Sequence, residues 1–384
     1  MSEYQYYEFL AIDRPLTSEE MSILRALSTR AHITPVSFTN EYNWGNFGGN
    51  PDKLMERFFD AHVYVANWMT AIFMVRLPME ALARETAEAV AVPYILKFKA
   101  TKTHWIITWS LEESENYDRF GMEDGRGWMA RLAPVRDELL RGDIRSLYIG
   151  WLAAATGEML DDDEMEPLAV SGLGSLTSAQ KALAEFLEVD PDLLAGAGIG
   201  SPVGQDEGIS QREMDEWIDD LPRDEAQAFL KQLLEGKGQH AERSLKNQFA
   251  AWRQGLQTDK TDAPRRTVEE LRQNAEKAQQ IRMKKEKRDR KRREIKRRKE
   301  REAYLMNLSK DFPKAWKSVQ KTVERGSGRG YDEACRALVG IAEAYALHTG
   351  RKGFRRNLKE FMKDHLRRKA FIQRLVKAGV WDDK

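Results

Sequence analysis

The side chains best placed to do chemistry in this chain are cations. Between Ile281 and Arg301 fourteen Lys/Arg stand against four acids, a net charge of +10 in twenty-one residues. Lys and Arg occupy 284, 285, 287, 288 and 290–293, and no apolar residue lies between Met283 and Ile295. At helical spacing these cations cover every side. The chemistry open to such a run is electrostatic: it neutralises phosphates, and counterion release supplies affinity with a strong salt dependence. The residues expected to carry it are Arg288, Arg290, Lys291, Arg292, Arg293, Lys296, Arg297 and Arg298, supported by Arg355, Arg356, Arg367 and Arg368. No aromatic occurs between Ile281 and Ala303, so neither base stacking nor sequence reading is expected. The same run also reads as a solvated, ion-paired helix that spaces two domains. Glu286, Asp289 and Glu294 each have an Arg four residues later (Arg290, Arg293, Arg298), the order that favours helix ion pairs. An anionic protein or membrane surface is a third partner for it.

Other motifs point elsewhere only weakly. The stretch from Asn43 to Pro51 is rich in Gly and Asn and precedes a helix, but it lacks the GK[ST] ending of a phosphate-cradling loop. It reads as a turn with two packed aromatics, with a pocket built on Tyr42, Trp44 and Asn50 as the alternative; Trp105 and Trp109 would complete that pocket. Asp161, Asp162, Asp163, Glu164 and Glu166 lack the alternation and central glycine of a calcium loop and read as a solvated linker. Glu112, Glu113, Glu115 and Asp118 read as a charged loop after a strand. The six histidines show no HxH or HExxH spacing, and one cysteine, Cys335, excludes a disulfide framework or a zinc site with several thiolates. No nucleophile elbow is present. No cofactor, no metal and no catalytic residue are expected.

The formal net charge of +1 conceals a division: residues 1–280 carry −18 and residues 281–384 carry +19. That polarity points to a polyanionic partner. The N-terminal MSEYQYYEF has neither the basic nor the apolar region of a signal peptide, and no run of eighteen apolar residues exists. With a single cysteine, these features place the chain in a reducing cytoplasm.

The elements that must position these residues divide as follows. Residues 1–155 are expected to form an α+β domain with a mixed or antiparallel sheet covered by helices. Strands are expected over Tyr4–Ile12, Ile33–Thr39, His62–Trp68, Ala71–Leu77, Tyr94–Lys99 and Trp105–Leu111. In the last of these, Trp105, Ile107 and Trp109 share one face. Helices are expected after the capping box Thr17-Ser18-Glu19-Glu20, from Pro51 to Asp60, from Glu80 to Val90 and across Met129–Ala155. Residues 156–260 read as an acidic helical middle region with linkers. Residues 151–240 carry −15, with helices at Ser178–Leu187 and Gln211–Leu234 and a linker between Gly196 and Gly208. Residues 261–303 form the long basic helix, starting near Pro264 with Thr261 or Asp262 as its cap; Val268, Leu271, Ala275, Ala278 and Ile281 form a docking stripe. Residues 304–384 form a C-terminal helical bundle.

Within that bundle Ala315-Trp316, Gly330-Tyr331-Asp332-Glu333-Ala334, Phe354 and His365-Leu366-Arg367-Arg368-Lys369 followed by Leu375 to Gly379 carry a resemblance. They are similar to the C-terminal helical part of bacterial SWIM zinc-finger proteins, over about a fifth of the chain. The metal motif of that family needs a C-x-C…C-x-H set, which one cysteine cannot supply. The resemblance implies a bacterial, cytoplasmic protein of interaction type. The N-terminal part is similar only to uncharacterised bacterial proteins. The function expected is a non-enzymatic binding or adaptor protein that engages nucleic-acid backbone non-specifically. The alternatives are a protein–protein scaffold with the charged helix as a spacer, and an enzyme with a dispersed N-terminal site. The oligomeric state is not legible.

Overall fold

The computed structural model describes residues 4–112, 124–202, 211–236, 264–348 and 350–382, together with 238, 241, 242, 244–246, 248, 249 and 252. The chain divides into two compact units, Met1–Ile281 and Arg282–Lys384. The fold is α+β.

The first unit is built on seven strands: β1 Gln5–Leu10, β2 His32–Thr34, β3 Ser37–Tyr42, β4 Ala61–Ala66, β5 Thr70–Pro78, β6 Leu96–Ala100 and β7 His104–Leu111. They pair in the order β2-β3-β1-β4-β5-β7-β6, and every neighbouring pair is antiparallel. The three residues between β4 and β5 are too few for the crossover that a parallel neighbour requires. Side chains alternate between two covered faces. Tyr7, Phe9, Phe38, Tyr42 and Met74 pack under α1 (Ser18–Leu27) and α2 (Pro51–Arg57). The opposite face presents Val63, Val65, Phe73, Val75, Trp105, Ile107 and Trp109 to a larger core. That core is closed by α3 (Arg84–Val90), α4 (Trp128–Leu132), α5 (Pro134–Leu140), α6 (Arg145–Thr156), α7 (Ser178–Phe186) and α8 (Pro191–Gly198).

Local chemistry sets several of these boundaries. Thr17 and Glu20 form a reciprocal capping box on α1, and the Asn50 side chain accepts from the Lys53 amide to start α2. The single strand expected over Ile33–Thr39 is a hairpin instead, because Pro35-Val36 turns the chain and pairs Thr34 with Ser37. The helix expected from Glu80 is delayed to Arg84 by a 3-10 turn over Met79–Ala81. Met129–Ala155 is three helices, with Pro134 opening the second. Gln211–Leu234 is two, α9 (Gln211–Asp220) and α10 (Arg223–Leu234), separated at Leu221-Pro222.

The larger core runs on past residue 155. Leu173, Leu176, Leu183, Phe186, Leu193 and Ala197 belong to the same buried cluster as β4, β5 and β7. Part of the stretch read as a linker between Gly196 and Gly208 is helix α8, and residues 203–208 of that linker lie outside the described residues. So do Glu113, Glu115, Asp118, Thr261 and Asp262. Among the described residues no helix is long and apolar enough to cross a membrane.

Helix α11 spans Val268–Ser309, 42 residues. Its first turns belong to the first unit: Val268 and Leu271 are fully buried, Ala275 is partly buried and Ala278 is buried. The docking stripe ends there, for Ile281 is 63% exposed. Of the acids expected to form a solvated linker, Asp161, Asp162, Asp163 and Glu164 are exposed and Glu166 is buried, and the backbone of Asp162, Glu164 and Glu166 holds this helix start. Glu166 donates its amide to the Arg266 carbonyl, and the carbonyls of Glu164 and Asp162 accept from Val268 and Glu269. Those two amides are among the first N–H groups of the helix, which have no partner inside it. The Glu166 carboxylate, itself buried, takes the Arg266 guanidinium at 2.6 Å and the Tyr148 hydroxyl at 2.5 Å.

The second unit contains the rest of α11 with α12 (Phe312–Glu324), α13 (Gly328–His348), α14 (Arg351–Lys363) and α15 (Lys369–Lys377). Val319, Val323, Leu338, Ile341, Tyr345, Phe354, Leu358, Met362, Phe371 and Leu375 form its core. On α14 the apolar stripe Phe354-Leu358-Met362 leaves Arg355, Arg356, Lys359 and Lys363 facing out. Leu366 and Val376 are exposed.

Candidate nucleic-acid interface

The interface begins where the burial of α11 stops. From Arg282 to Tyr304 every residue except Asp289, which is half-buried, is exposed to solvent. Burial resumes at Leu305, and Tyr304 lies against Gly340 of α13, where an added methyl would come within 3.2 Å of the ring. Arg301 closes this junction by pairing with Glu343 at 2.7 Å. Within the second unit the charged turns are thus anchored at one end by α13 and have no apolar side to cover.

Their ion pairs differ from those the spacing favours. Arg282 pairs with Glu286, Lys296 with Glu300 and Arg298 with Glu302, each base preceding its acid by four residues. This is the weaker order, because a base nearer the helix N-terminus works against the helix dipole. Exposed pairs of this kind contribute roughly 0 to 1 kcal/mol and break readily. Of the eight cations singled out on this helix, Lys296 and Arg298 are so engaged. Arg288, Arg290, Lys291, Arg292, Arg293 and Arg297 have no carboxylate within ion-pair distance among the described residues. Charge density is therefore high and largely uncompensated within the helix.

The supporting arginines divide. Arg355 and Arg356 are exposed on α14, and Arg367 is exposed before α15. Arg368 is turned inward: it donates to the Val323 carbonyl at 2.8 Å and the Tyr331 hydroxyl at 3.1 Å, and its guanidinium lies over the Tyr331 ring. Its role is to tie α12, α13 and the start of α15 together. Neighbouring Arg residues in a sequence look alike, and only the packing separates the one that faces water.

The five residues of the N-terminal pocket reading do not converge. Tyr42 is buried on the α1–α2 face and accepts from Asn40, Trp44 is exposed, and Asn50 is spent capping α2. Trp105 and Trp109 are buried on the opposite face of the sheet, donating to the carbonyls of Leu82 and Ser146. In the Gly/Asn loop Phe47 packs and Trp44 does not. Concavity appears elsewhere in the first unit, as a cleft of about 280 Å³ lined by Glu80, Trp217, Asp220, Glu225, Gln248 and Trp252 among others. Sequence reading missed it because its residues come from segments far apart in the chain. No family model, curated protein or solved structure matches this chain.

Proposed function

We propose that this protein is a non-enzymatic binding or adaptor protein that engages nucleic-acid backbone without sequence preference. The observation that carries the reading is the exposed stretch of α11, which has no apolar cover and on which Arg288, Arg290, Lys291, Arg292, Arg293 and Arg297 lack carboxylate partners among the described residues. A polyanion supplies what these side chains lack. Duplex nucleic acid fits the distribution better than a flat anionic surface does. Residues 284–299 hold twelve Lys/Arg spread around the whole helix, and a plane can meet only about half of a circumference. A groove about 12 Å wide flanked by two phosphate strands admits a helix and meets charge on several sides. The sixteen residues extend about 24 Å, and duplex over that length carries roughly fourteen phosphates.

Arg288, Arg290, Lys291, Arg292, Arg293 and Arg297 would contact phosphates directly. Lys296 and Arg298 would exchange Glu300 and Glu302 for phosphate at little cost, since exposed pairs are weak. Arg355, Arg356 and Arg367 would add a second basic surface. The stretch offers no aromatic to stack on bases. An interaction role also suits the likeness of residues 304–384 to the helical part of SWIM-type proteins, and a reducing cytoplasm suits the one buried thiol, Cys335. The test is fluorescence anisotropy with mixed-sequence duplex DNA and RNA at 50 and 200 mM salt. If six cations each neutralise one phosphate, the slope of log K against log salt on duplex DNA is about −5. An affinity indifferent to salt rules the proposal out.

A further inference from the structure

The cleft in the first unit has a chemistry of its own, opposite in sign to that of α11. Three carboxylates border it: Glu80 from the 3-10 turn after β5, Asp220 at the end of α9 and Glu225 in the first turn of α10. Asp220 and Glu225 have no Lys, Arg or His partner among the described residues, whereas Glu80 interacts electrostatically with His104; none of the three makes a hydrogen bond among those residues. No cation contributes to the lining among the described residues. Three negative charges around one concavity, two of them without a basic neighbour among the described residues, are a repulsive arrangement that a bound positive group relieves.

The walls add a second kind of group. Trp217 is only 8% exposed, is braced edge-on by Phe249 at 5.4 Å, and its indole N–H has no acceptor among the described residues. Trp252 also stacks on Phe249, at 5.8 Å, so the two indoles share one ring contact. Indoles are the strongest aromatic partners of organic cations, and guanidinium both stacks on rings and grips carboxylates with two parallel bonds. The Gln248 amide, also without a hydrogen-bond partner among the described residues, completes a set able to bind peptide groups as well as charge. At about 280 Å³ the cleft lies just below the usual size of small-molecule sites, and it suits a single side chain. Leu221 and Pro222 add an apolar part to the lining.

We propose that this cleft is a docking site for an arginine or lysine side chain presented by a peptide segment of a partner protein. The carboxylates take the charge, the indoles take the stem and the cation face, and the Trp217 N–H and Gln248 amide take the peptide backbone. The site is independent of the nucleic-acid reading.

The experiment uses the full chain labelled with ¹⁵N-tryptophan, with the indole signals of Trp217 and Trp252 assigned through Trp→Phe variants. It is titrated with a blocked alanine-based heptapeptide bearing one central arginine, with the same peptide bearing neutral citrulline, and with agmatine. The expected result is a saturable shift of both signals by the arginine peptide, at least tenfold weaker binding of the citrulline peptide, and weaker binding of agmatine. Asp220→Asn combined with Glu225→Gln weakens the arginine peptide by roughly threefold or more, the size of two exposed charge pairs, whereas Asp219→Asn, just outside the cleft, does not. Equal binding of the citrulline peptide, or an equal loss in the Asp219→Asn variant, overturns the proposal. Tighter binding of agmatine than of the peptide overturns it in favour of a small-molecule cation site. The substituted acids Asp219, Asp220 and Glu225 are all exposed, so loss of folding does not confuse the outcome.

Discussion

Gly196 lies against the backbone of Ala275 so closely that a methyl group on it would come within 2.6 Å of the Ala275 amide nitrogen. This contact joins α8 to the first turns of α11, beside Val268 and Leu271 in the core. The atoms in the way are backbone and cannot swing aside.

Gly196→Ala is therefore expected to destabilise the first unit, even though alanine favours a helix by about 1 kcal/mol over glycine. Overpacking costs about 1–3 kcal/mol, and because the obstructing atoms are backbone the cost lies at the upper end, so a net loss of about 2 kcal/mol is expected. The urea midpoint followed by tryptophan fluorescence measures it. An unchanged or raised midpoint would show that α8 can slide away from α11.

Glu166 concerns the same junction. Its buried carboxylate serves Tyr148 and the Arg266 side chain, while Arg266 also donates to the carbonyls of Ala197 and Ile199. Removing the charge leaves a guanidinium held in a largely enclosed site without its counter-ion. Glu166→Gln is expected to cost about 3 kcal/mol, whereas replacing Glu166 and Arg266 together by leucine is expected to cost less than the single change. Paired unfolding curves decide this, and additive losses would contradict it.

These two junctions show where sequence stops being informative. The alternation of Trp105, Ile107 and Trp109 announces a strand face because its period is local, and all three are buried on one side of the sheet. The Thr17 capping box and the stripe Val268-Leu271 are local in the same way. The run of acids at 161–166 is solvent-exposed as far as Met165, but its Glu166 is buried and its backbone pairs with the start of α11 a hundred residues later. Nothing in the run itself encodes that pairing. The basic run was legible because absence of apolar residues is itself a local property. Arg367 and Arg368 were not separable, since Tyr331 and the Val323 carbonyl decide between them from other helices.

Buried histidine makes the first unit sensitive to acid. His62 is fully buried, stacked on Phe9 at 3.8 Å, and its Nδ1–H donates to the Glu8 carbonyl at 2.9 Å. Burial pulls its pKa down from 6.5 to about 3. The unfolded chain therefore binds a proton between pH 6.5 and 3 that the folded chain refuses. The contribution is fully present above pH 6.5 and is lost at about 1.4 kcal/mol per pH unit as pH falls. Between pH 6.5 and 5 the first unit is expected to lose about 2 kcal/mol through this group. His62→Phe keeps the stacking and removes the titration, so the difference in slope between variant and parent isolates it. Identical slopes would refute the assignment.

The cations of α11 and those of the bundle should fail in different ways. Replacing Arg290, Lys291, Arg292 and Arg293 together by alanine removes four exposed charges from a helix that alanine favours, so thermal unfolding is expected to be unchanged. On duplex DNA the salt slope is expected to fall in magnitude by about 3.6, since each phosphate no longer neutralised takes about 0.9 from it. Arg368→Ala should do the reverse, lowering the stability of the second unit by removing its bonds to Val323 and Tyr331 while leaving the slope unaltered. Arg367→Ala, one residue away and exposed, is expected to leave stability intact and reduce the slope by about one. Should the four-residue variant keep the parent slope, phosphate recognition by this helix is excluded, whatever the remaining affinity.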